Sequence, residues 1–189
     1  MSLFIILLAA GEGKRLESNT PKPFHKINNK TLLEHSVNAF KDFQKIKKTI
    51  VVYNARNIKY LNKLNLKNII KVKGGNTRQE SVFNALKKIR KKNCKKVIIH
   101  DIARPSPPKK LINNLINKLK NNDAVIPVIK TNDSTKRADE NFIFKNIKRN
   151  NLRFAQTPQG FTFKKIYEKH KENKNILFDD DSVYLLKPV

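Results

Sequence analysis

The chain has 189 residues, 39% of them hydrophobic, enough for one domain with a core that needs neither disulfides nor a metal staple. Lys and Arg number 41 against 15 Asp and Glu, a net charge of +26. The lysines are spread over nearly every segment and travel with Asn and Ile. That pattern argues against a specific nucleic-acid surface and for a lysine-coated exterior whose field draws in phosphorylated small molecules. The single cysteine, Cys94, excludes an intrachain disulfide and fits a reducing, cytoplasmic setting. His25, His35, His100 and His170 stand far apart without ligand spacing, so no zinc site is predicted.

In chain order, the apolar run Leu3 to Ala9 reads as a buried strand. It is too short to cross a membrane, and it has neither the basic start nor the small-residue cleavage site of a signal peptide. It breaks into Ala10-Gly11-Glu12-Gly13-Lys14-Arg15-Leu16 and then Asn19-Thr20-Pro21-Lys22-Pro23. Glycines directly after a strand let backbone N–H groups approach a polyanion, and Lys14, Arg15 and Lys22 supply charge beside them. The spacing is neither the dinucleotide fingerprint nor a Walker loop. On Gly11 and Gly13 alone, an ordinary strand-to-helix turn describes it as well.

The string Leu8-Ala-Ala-Gly-x-Gly-x-Arg-Leu16 followed by Pro21-Lys22-Pro23 resembles the signature of the sugar-nucleotide and polyol-phosphate nucleotidyltransferases. The resemblance implies that Ala9, Ala10, Gly11 and Gly13 wrap the nucleotide. It also implies that Arg15 and Lys22 flank the phosphorus under attack.

Thr31 to Phe43 reads as a helix, with Thr31 and Glu34 as a capping box and Leu32, Leu33, Val37, Ala39 and Phe40 as its apolar face. Thr49 to Tyr53 predicts a second strand, Ile58 to Leu66 a short helix and Ile69 to Val72 a third strand. This alternation predicts an α/β architecture, a mostly parallel sheet with helices on both faces and a ligand beyond the carboxyl ends of its strands. Gly74-Gly75-Asn76-Thr77-Arg78-Gln79-Glu80-Ser81-Val82 then leads into a helix, with Thr77 and Glu80 as a capping pair. A glycine turn before a capped helix accounts for it locally. The form Gly-Gly-x-x-Arg-x-x-Ser-Val also resembles the base-recognising segment of the cytidylyltransferases of the methylerythritol phosphate route to isoprenoids. That likeness assigns Gly75, Asn76 and Ser81 to cytosine.

Lys96 to Asp101 is a fourth strand ending in His100-Asp101-Ile102-Ala103-Arg104-Pro105. A carboxylate at a strand end suits Mg²⁺, which takes one or two protein oxygens beside phosphate and water, and an arginine can fork a phosphate. As an isolated pair, Asp101 and Arg104 could equally order the loop. The string is similar to the same family's metal and acceptor segment, which implies Asp101 for Mg²⁺ and Arg104 for the acceptor phosphate. Ile102 stands where the family commonly carries Ala.

Lys109 to Lys120 is a core helix with a stripe at Leu111, Ile112, Leu115, Ile116 and Leu119. Ala124 to Ile129 predicts a fifth strand, with Pro127 marking an irregularity or an edge. Residues 131–151 predict two short strands around a polar turn, and the apolar Phe142 and Phe144 call for a cover. In the family this region is an arm that embraces a second subunit, so the resemblance implies a homodimer and places Ser134 and Arg149 at the acceptor. Ser134 stands where Thr is usual. Phe154-Ala-Gln-Thr-Pro-Gln-Gly-Phe161 reads locally as a proline turn before a helix over 162–170. It resembles the cytidylyltransferase half of fused enzymes that also carry a cyclodiphosphate synthase. Phe178-Asp179-Asp180-Asp181-Ser182 is similar to the acidic segment that starts the family's last helix.

The resemblance covers nearly the whole chain. It implies the Rossmann-like fold of nucleotide-diphospho-sugar transferases with a protruding β-arm, CTP and a polyol phosphate as substrates, and Mg²⁺ as cofactor. The family continues with Asn-Ile-Lys-x-Thr, whose Lys contacts the acceptor phosphate, whereas this sequence reaches Val189 without a counterpart. An incomplete chain is therefore expected, with CTP and Mg²⁺ binding retained better than turnover. The rival readings are a ribitol 5-phosphate cytidylyltransferase, a sugar-1-phosphate uridylyl- or guanylyltransferase, and a non-catalytic cationic protein that binds nucleic acid salt-sensitively.

Overall fold

A computed structural model describes residues 2–11, 18–173 and 180–185. In chain order the strands and helices are β1 (Leu3–Ala9), β2 (Lys26–Ile27), β3 (Lys30–Thr31), α1 (Leu32–Lys41), β4 (Ile46–Tyr53), α2 (Ile58–Lys63), β5 (Ile69–Lys73) and α3 (Arg78–Ile89). Then follow β6 (Lys96–Asp101), α4 (Lys109–Lys118), β7 (Ala124–Val125), β8 (Val128–Lys130), β9 (Thr135–Ala138), β10 (Ile143–Ile147), β11 (Arg153–Ala155), β12 (Gln159–Thr162) and α5 (Phe163–Glu172). A 3-10 helix spans Asp181–Leu185.

The main sheet runs β5-β4-β1-β6-β12-β7. β5, β4, β1 and β6 are parallel, and β12 is antiparallel to β6. Side chains alternate along a strand, so β1 feeds two cores. Phe4 and Ile6 pack with Val82, Leu86 and Ile89 of α3 and Ile166 of α5, while Leu3, Ile5 and Leu7 pack with Leu33, Phe40, Leu61, Ile112 and Ile116 of α1, α2 and α4. All of β1 from Leu3 to Leu7 is buried, and each such aliphatic side chain contributes roughly 1.5–3 kcal/mol. From β1 the chain moves outward to β4 and β5, then returns to the opposite side of β1 for β6. That reversal opens a crevice at the carboxyl ends of β1 and β6.

The helix ends follow the sequence. Thr31 and Glu34 form a complete capping box on α1. Thr77 accepts the Glu80 N–H at the start of α3, but the Glu80 carboxylate turns to the Asn76 N–H instead of closing the box on Thr77. The tight turn between β2 and β3 places Asn28 and Asn29 in the left-handed region, at φ 48 and φ 63, a conformation that asparagine tolerates better than other non-glycine residues.

Four expectations are corrected. The strand over 124–129 breaks at Pro127, which lacks an N–H for the ladder: β7 stays on the main sheet and β8 leaves it to pair with β11. The stretch 154–161, read as a turn, supplies β11 and β12, joined through a cis Thr157–Pro158 bond. The helix expected over 58–66 is a 3-10 turn at Ala55–Asn57 followed by the shorter α2. The acidic stretch opens a 3-10 helix where a regular last helix was expected.

The polar-turn hairpin is present as β9 and β10, with Asn141 and Phe142 N–H groups donating to the Asp139 carboxylate in the turn. Phe142, Ile143 and Phe144 are 72%, 68% and 58% exposed. Among the described residues no helix is long and apolar enough to cross a membrane.

Candidate active site

A cleft of about 790 Å³ lies at the carboxyl ends of β1, β4, β5 and β6. Its walls bring together Ala9, Ala10 and Gly11 after β1, Lys22, the 74–78 segment before α3, Ser81, and Asp101 with Ile102 after β6. Residues scattered over some ninety positions of sequence thus meet because parallel strands all end on one edge. Gly13 and Arg15 lie outside the described residues.

Close approach explains the glycine pair. A Cβ on Gly74 would stand 2.7 Å from the Ala10 Cβ and 2.9 Å from the Ser81 hydroxyl, and one on Gly75 would stand 2.3 Å from the Glu80 Cβ. The Gly75 N–H donates to Ser81 Oγ at 3.1 Å, so the hydroxyl on the first turn of α3 is held against the glycine backbone. Asn76, its N–H taken by Glu80, is exposed at the cleft. Together these groups offer fixed, narrow-walled backbone polarity, which suits the flat edge of a small base.

Asp101 has a partly exposed carboxylate, 34% accessible, and no other acidic side chain lines the cleft among the described residues. The sequence assigned no role to its neighbour Arg78. The Arg78 Nε stands 3.4 Å from Asp101 Oδ1, and its other arm donates to Asp181 Oδ2 at 2.7 Å. Asp181 is buried and bonded in turn to His170 Nε2 at 2.9 Å. Burial acts to raise the Asp181 pKa, but the His170 bond and the Arg78 charge outweigh it and hold the carboxyl below its ordinary range. Burial likewise opposes the Arg78 charge, and the two carboxylates overcome it. The Gly-Gly-x-x-Arg spacing was the available signal for Arg78; its partners lie too far along the chain to be read from sequence.

The Ile102 side chain turns into the core beside α1, α2 and α4, leaving its main chain at the cleft. Arg104 is exposed on the same turn, with its guanidinium donating to Gln156 Oε1. Ser134 and Arg149 are not brought to this cleft. Ser134 is exposed just before β9, and Arg149 donates to the Asn132 carbonyl at 2.8 Å in a separate depression of about 610 Å³ shared with Lys130 and Arg153.

Mg²⁺ was the expected cofactor, and the donor set fits it. A single accessible carboxylate with room beside it for phosphates matches the habit of that ion, whereas no group of three or more His, Cys, Asp or Glu gathers among the described residues, as a closed protein cage would need.

A mostly parallel sheet with its cleft at a topological switch point, walled by glycine backbone, a lysine and one carboxylate, defines the class: a Rossmann-like α/β protein with a nucleotide-type cleft. More narrowly, the chain belongs to the IspD family, 2-C-methyl-D-erythritol 4-phosphate cytidylyltransferase, whose family model matches residues 3–187. It is 45% identical over 185 residues to the bifunctional enzyme IspD/IspF of Pelagibacter ubique, covering 98% of this chain and 50% of that protein. It is 33% identical over 186 residues to the 2-C-methyl-D-erythritol 4-phosphate cytidylyltransferase of Clostridioides difficile, covering 95% of this chain and 78% of the relative. The bifunctional IspDF structure from Campylobacter jejuni superposes with a TM-score of 0.84 at 30% identity, over 98% of this chain and 47% of that one. The chain therefore spans about half the length of the bifunctional relatives.

Proposed function

We propose that the chain transfers a cytidylyl group from CTP to 2-C-methyl-D-erythritol 4-phosphate, giving 4-diphosphocytidyl-2-C-methyl-D-erythritol and pyrophosphate for isoprenoid precursor synthesis. The observation that carries this reading is the convergence of the Ala9–Gly11 backbone, the Gly75–Ser81 pocket, Lys22 and Asp101 on one cleft. The acceptor phosphate oxygen attacks the α-phosphorus, a P–O bond forms there, and the bond to the departing pyrophosphate breaks. The protein's share of such a reaction is alignment and charge stabilisation. Gly75 and Ser81 seat the base, Lys22 sits where negative charge builds, and Arg15 joins it by the family resemblance. Arg104 receives the acceptor phosphate. Asp101 would hold Mg²⁺, which when bound would supply positive charge beside the phosphates.

A second copy of the chain completes the proposal. The exposed Phe142, Ile143 and Phe144 sit on a two-stranded hairpin, and a pair of strands with an uncovered apolar face is marginal alone. In a homodimer, the 131–151 segment is covered by the partner and carries Ser134 and Arg149 toward the partner's acceptor. A single buried, unpaired Cys94 and phosphorylated substrates support a cytoplasmic setting for this reading.

The test is pyrophosphate release by the purified chain with Mg²⁺, CTP and 2-C-methyl-D-erythritol 4-phosphate, beside ribitol 5-phosphate and UTP. Release confined to the first pair supports the assignment. Equal release with ribitol 5-phosphate would reassign the acceptor, and release with UTP would overturn the base reading.

A further inference from the structure

We infer that His25 is a positioning residue for Lys22: its imidazole clasps the turn that carries the lysine to the cleft. This inference rests on the cytidylyl-transfer reading, in which Lys22 meets the negative charge that builds during attack on the α-phosphorus. His25 is half-buried and stands outside the cleft wall, to which Lys22 and Pro23 belong.

The backbone around Lys22 is stiff but firmly held on one side only. Lys22–Phe24 form a 3-10 turn, with the Phe24 N–H donating to the Pro21 carbonyl at 2.8 Å and the His25 N–H to the Lys22 carbonyl at 3.2 Å. Prolines on both sides of Lys22 fix φ at their own positions and remove two N–H donors, so few backbone bonds are left to hold the turn. Downstream the anchoring is strong. Phe24 is buried with Leu33 and Leu61, and its ring stacks on Tyr60 of α2 with centroids 5.2 Å apart. The His25 carbonyl accepts the Leu32 N–H at 2.9 Å, which ties the turn to the start of α1. Upstream, Ser18 and Asn19 are polar and exposed, and no apolar side chain from 18–20 enters the core.

The His25 ring supplies the upstream tether. Its Nε2 stands 2.6 Å from the Thr20 carbonyl oxygen, which can only accept, so Nε2 carries the proton and donates. The bond runs over Lys22 from one side of the turn to the other and closes a ring of which the lysine is a member. This matters because a lysine ammonium is a point charge on a flexible four-carbon stem, placed only as well as the backbone beneath it. Stabilising a transition state depends on charges already in position, and a small displacement costs rate before it costs binding. A clip on an ordinary surface loop would add stability alone, whereas this one sits directly under a residue of the reaction.

The experiment is a double-mutant cycle between the two residues. His25→Gln places an amide N–H where Nε2 stands, while His25→Leu and His25→Ala remove the donor, the first with bulk retained. Each is made in the parent and in Lys22→Ala protein. We would measure kcat for pyrophosphate release at saturating CTP and 2-C-methyl-D-erythritol 4-phosphate, Kd for CTP by calorimetry, the urea midpoint, and imidazole nitrogen shifts by long-range ¹⁵N NMR. In the parent background His25→Leu and His25→Ala should each lower kcat roughly tenfold, the weight of one lost hydrogen bond, and His25→Gln should recover most of it. CTP affinity should change by less than about threefold, because the loss falls on the transition state. In the Lys22→Ala background the same changes should cost less than about twofold, since the group being positioned is gone. An unchanged kcat in both donor-free variants would overturn the positioning role. So would a loss of equal size with and without Lys22, which marks a general effect on the fold. A parent ring without a proton on Nε2 would overturn the clasp itself, whatever the activity. A parent with the expected ring but no pyrophosphate release would overturn the functional reading, and the service His25 gives to Lys22 with it.

Discussion

At the scale of single residues, the cleft is set by what cannot be there. Gly74 is the clearest case, since a methyl group would press on both Ala10 and the Ser81 hydroxyl. Gly74→Ala should therefore loosen the Ser81 to Gly75 bond and weaken CTP binding by about tenfold, one lost polar contact's worth, while the fold persists. Calorimetric titration with CTP checks it, and unchanged affinity would show that the approach relaxes freely. Arg78 acts in the opposite sense, by being present. It bridges Asp101 in the cleft and the buried Asp181, so Arg78→Gln leaves a buried carboxylate with only His170 beside it. Breaking such a pair costs about 3 kcal/mol, and lysine cannot replace the fork that serves two partners. Urea unfolding should show this loss for Arg78→Gln and a smaller recovery for Arg78→Lys. Arg78 was present in a recognised motif, yet its role was illegible, because Asp101 and Asp181 lie 23 and 103 positions away.

At the scale of elements, local chemistry carried most of the prediction. The Thr31 capping box, the Thr77 cap, the continuous apolar run of β1 and the apolar stripe of α4 each depend on neighbours within a few residues, and each appears as read. Pro127 marked an irregularity that local reasoning could see but not resolve. Only the competition between two partners, β12 for β7 and β11 for β8, shows that the strand divides there. β12 itself was missed because a four-residue strand after a proline turn carries almost no periodic signal. The β9–β10 hairpin makes a prediction of its own. Replacing Phe142 and Phe144 together by Ser should shift the protein from dimer toward monomer in sedimentation, with the main sheet intact by circular dichroism. A chain that is already monomeric before substitution would remove the need for a covering partner.

At the scale of the whole molecule, the core that packs α3 and α5 against the sheet holds two ionisable groups, Cys94 and Tyr184, whose burial links stability to pH. Burial pushes the Cys94 thiol up to about 12, and Tyr184 is likewise raised to about 12. Both are neutral in the folded chain at pH values where the unfolded chain has begun to lose those protons. Their contribution is thus complete below their ordinary pKa values and is lost as pH rises through roughly 9 to 12, at a limiting slope of about 1.4 kcal/mol per pH unit for each group. Denaturation at pH 8 and pH 10.5 should show this decline, and Cys94→Ala should flatten part of it. At neutral pH the same burial should leave Cys94 slow toward thiol reagents until the protein unfolds.

The sequence by itself determined the alternation of main strands and helices from β1 to α4, the glycine turns, the caps and the motif residues that align this chain with its family, since each depends on chemistry between near neighbours. It also placed the residues proposed for base and metal on segments that follow β-strands, and the parallel sheet gathers those segments on one edge. What only the tertiary structure decided is how those residues are held. The Arg78 bridge to Asp101 and Asp181, the division of the strand at Pro127 and the hydrogen bonds from Asp101 through Thr157 and His100 to Arg104 all join groups far apart in sequence. Their partners are chosen by strand order and by the demand that buried polar groups be satisfied, and neither is written in any single stretch of the chain.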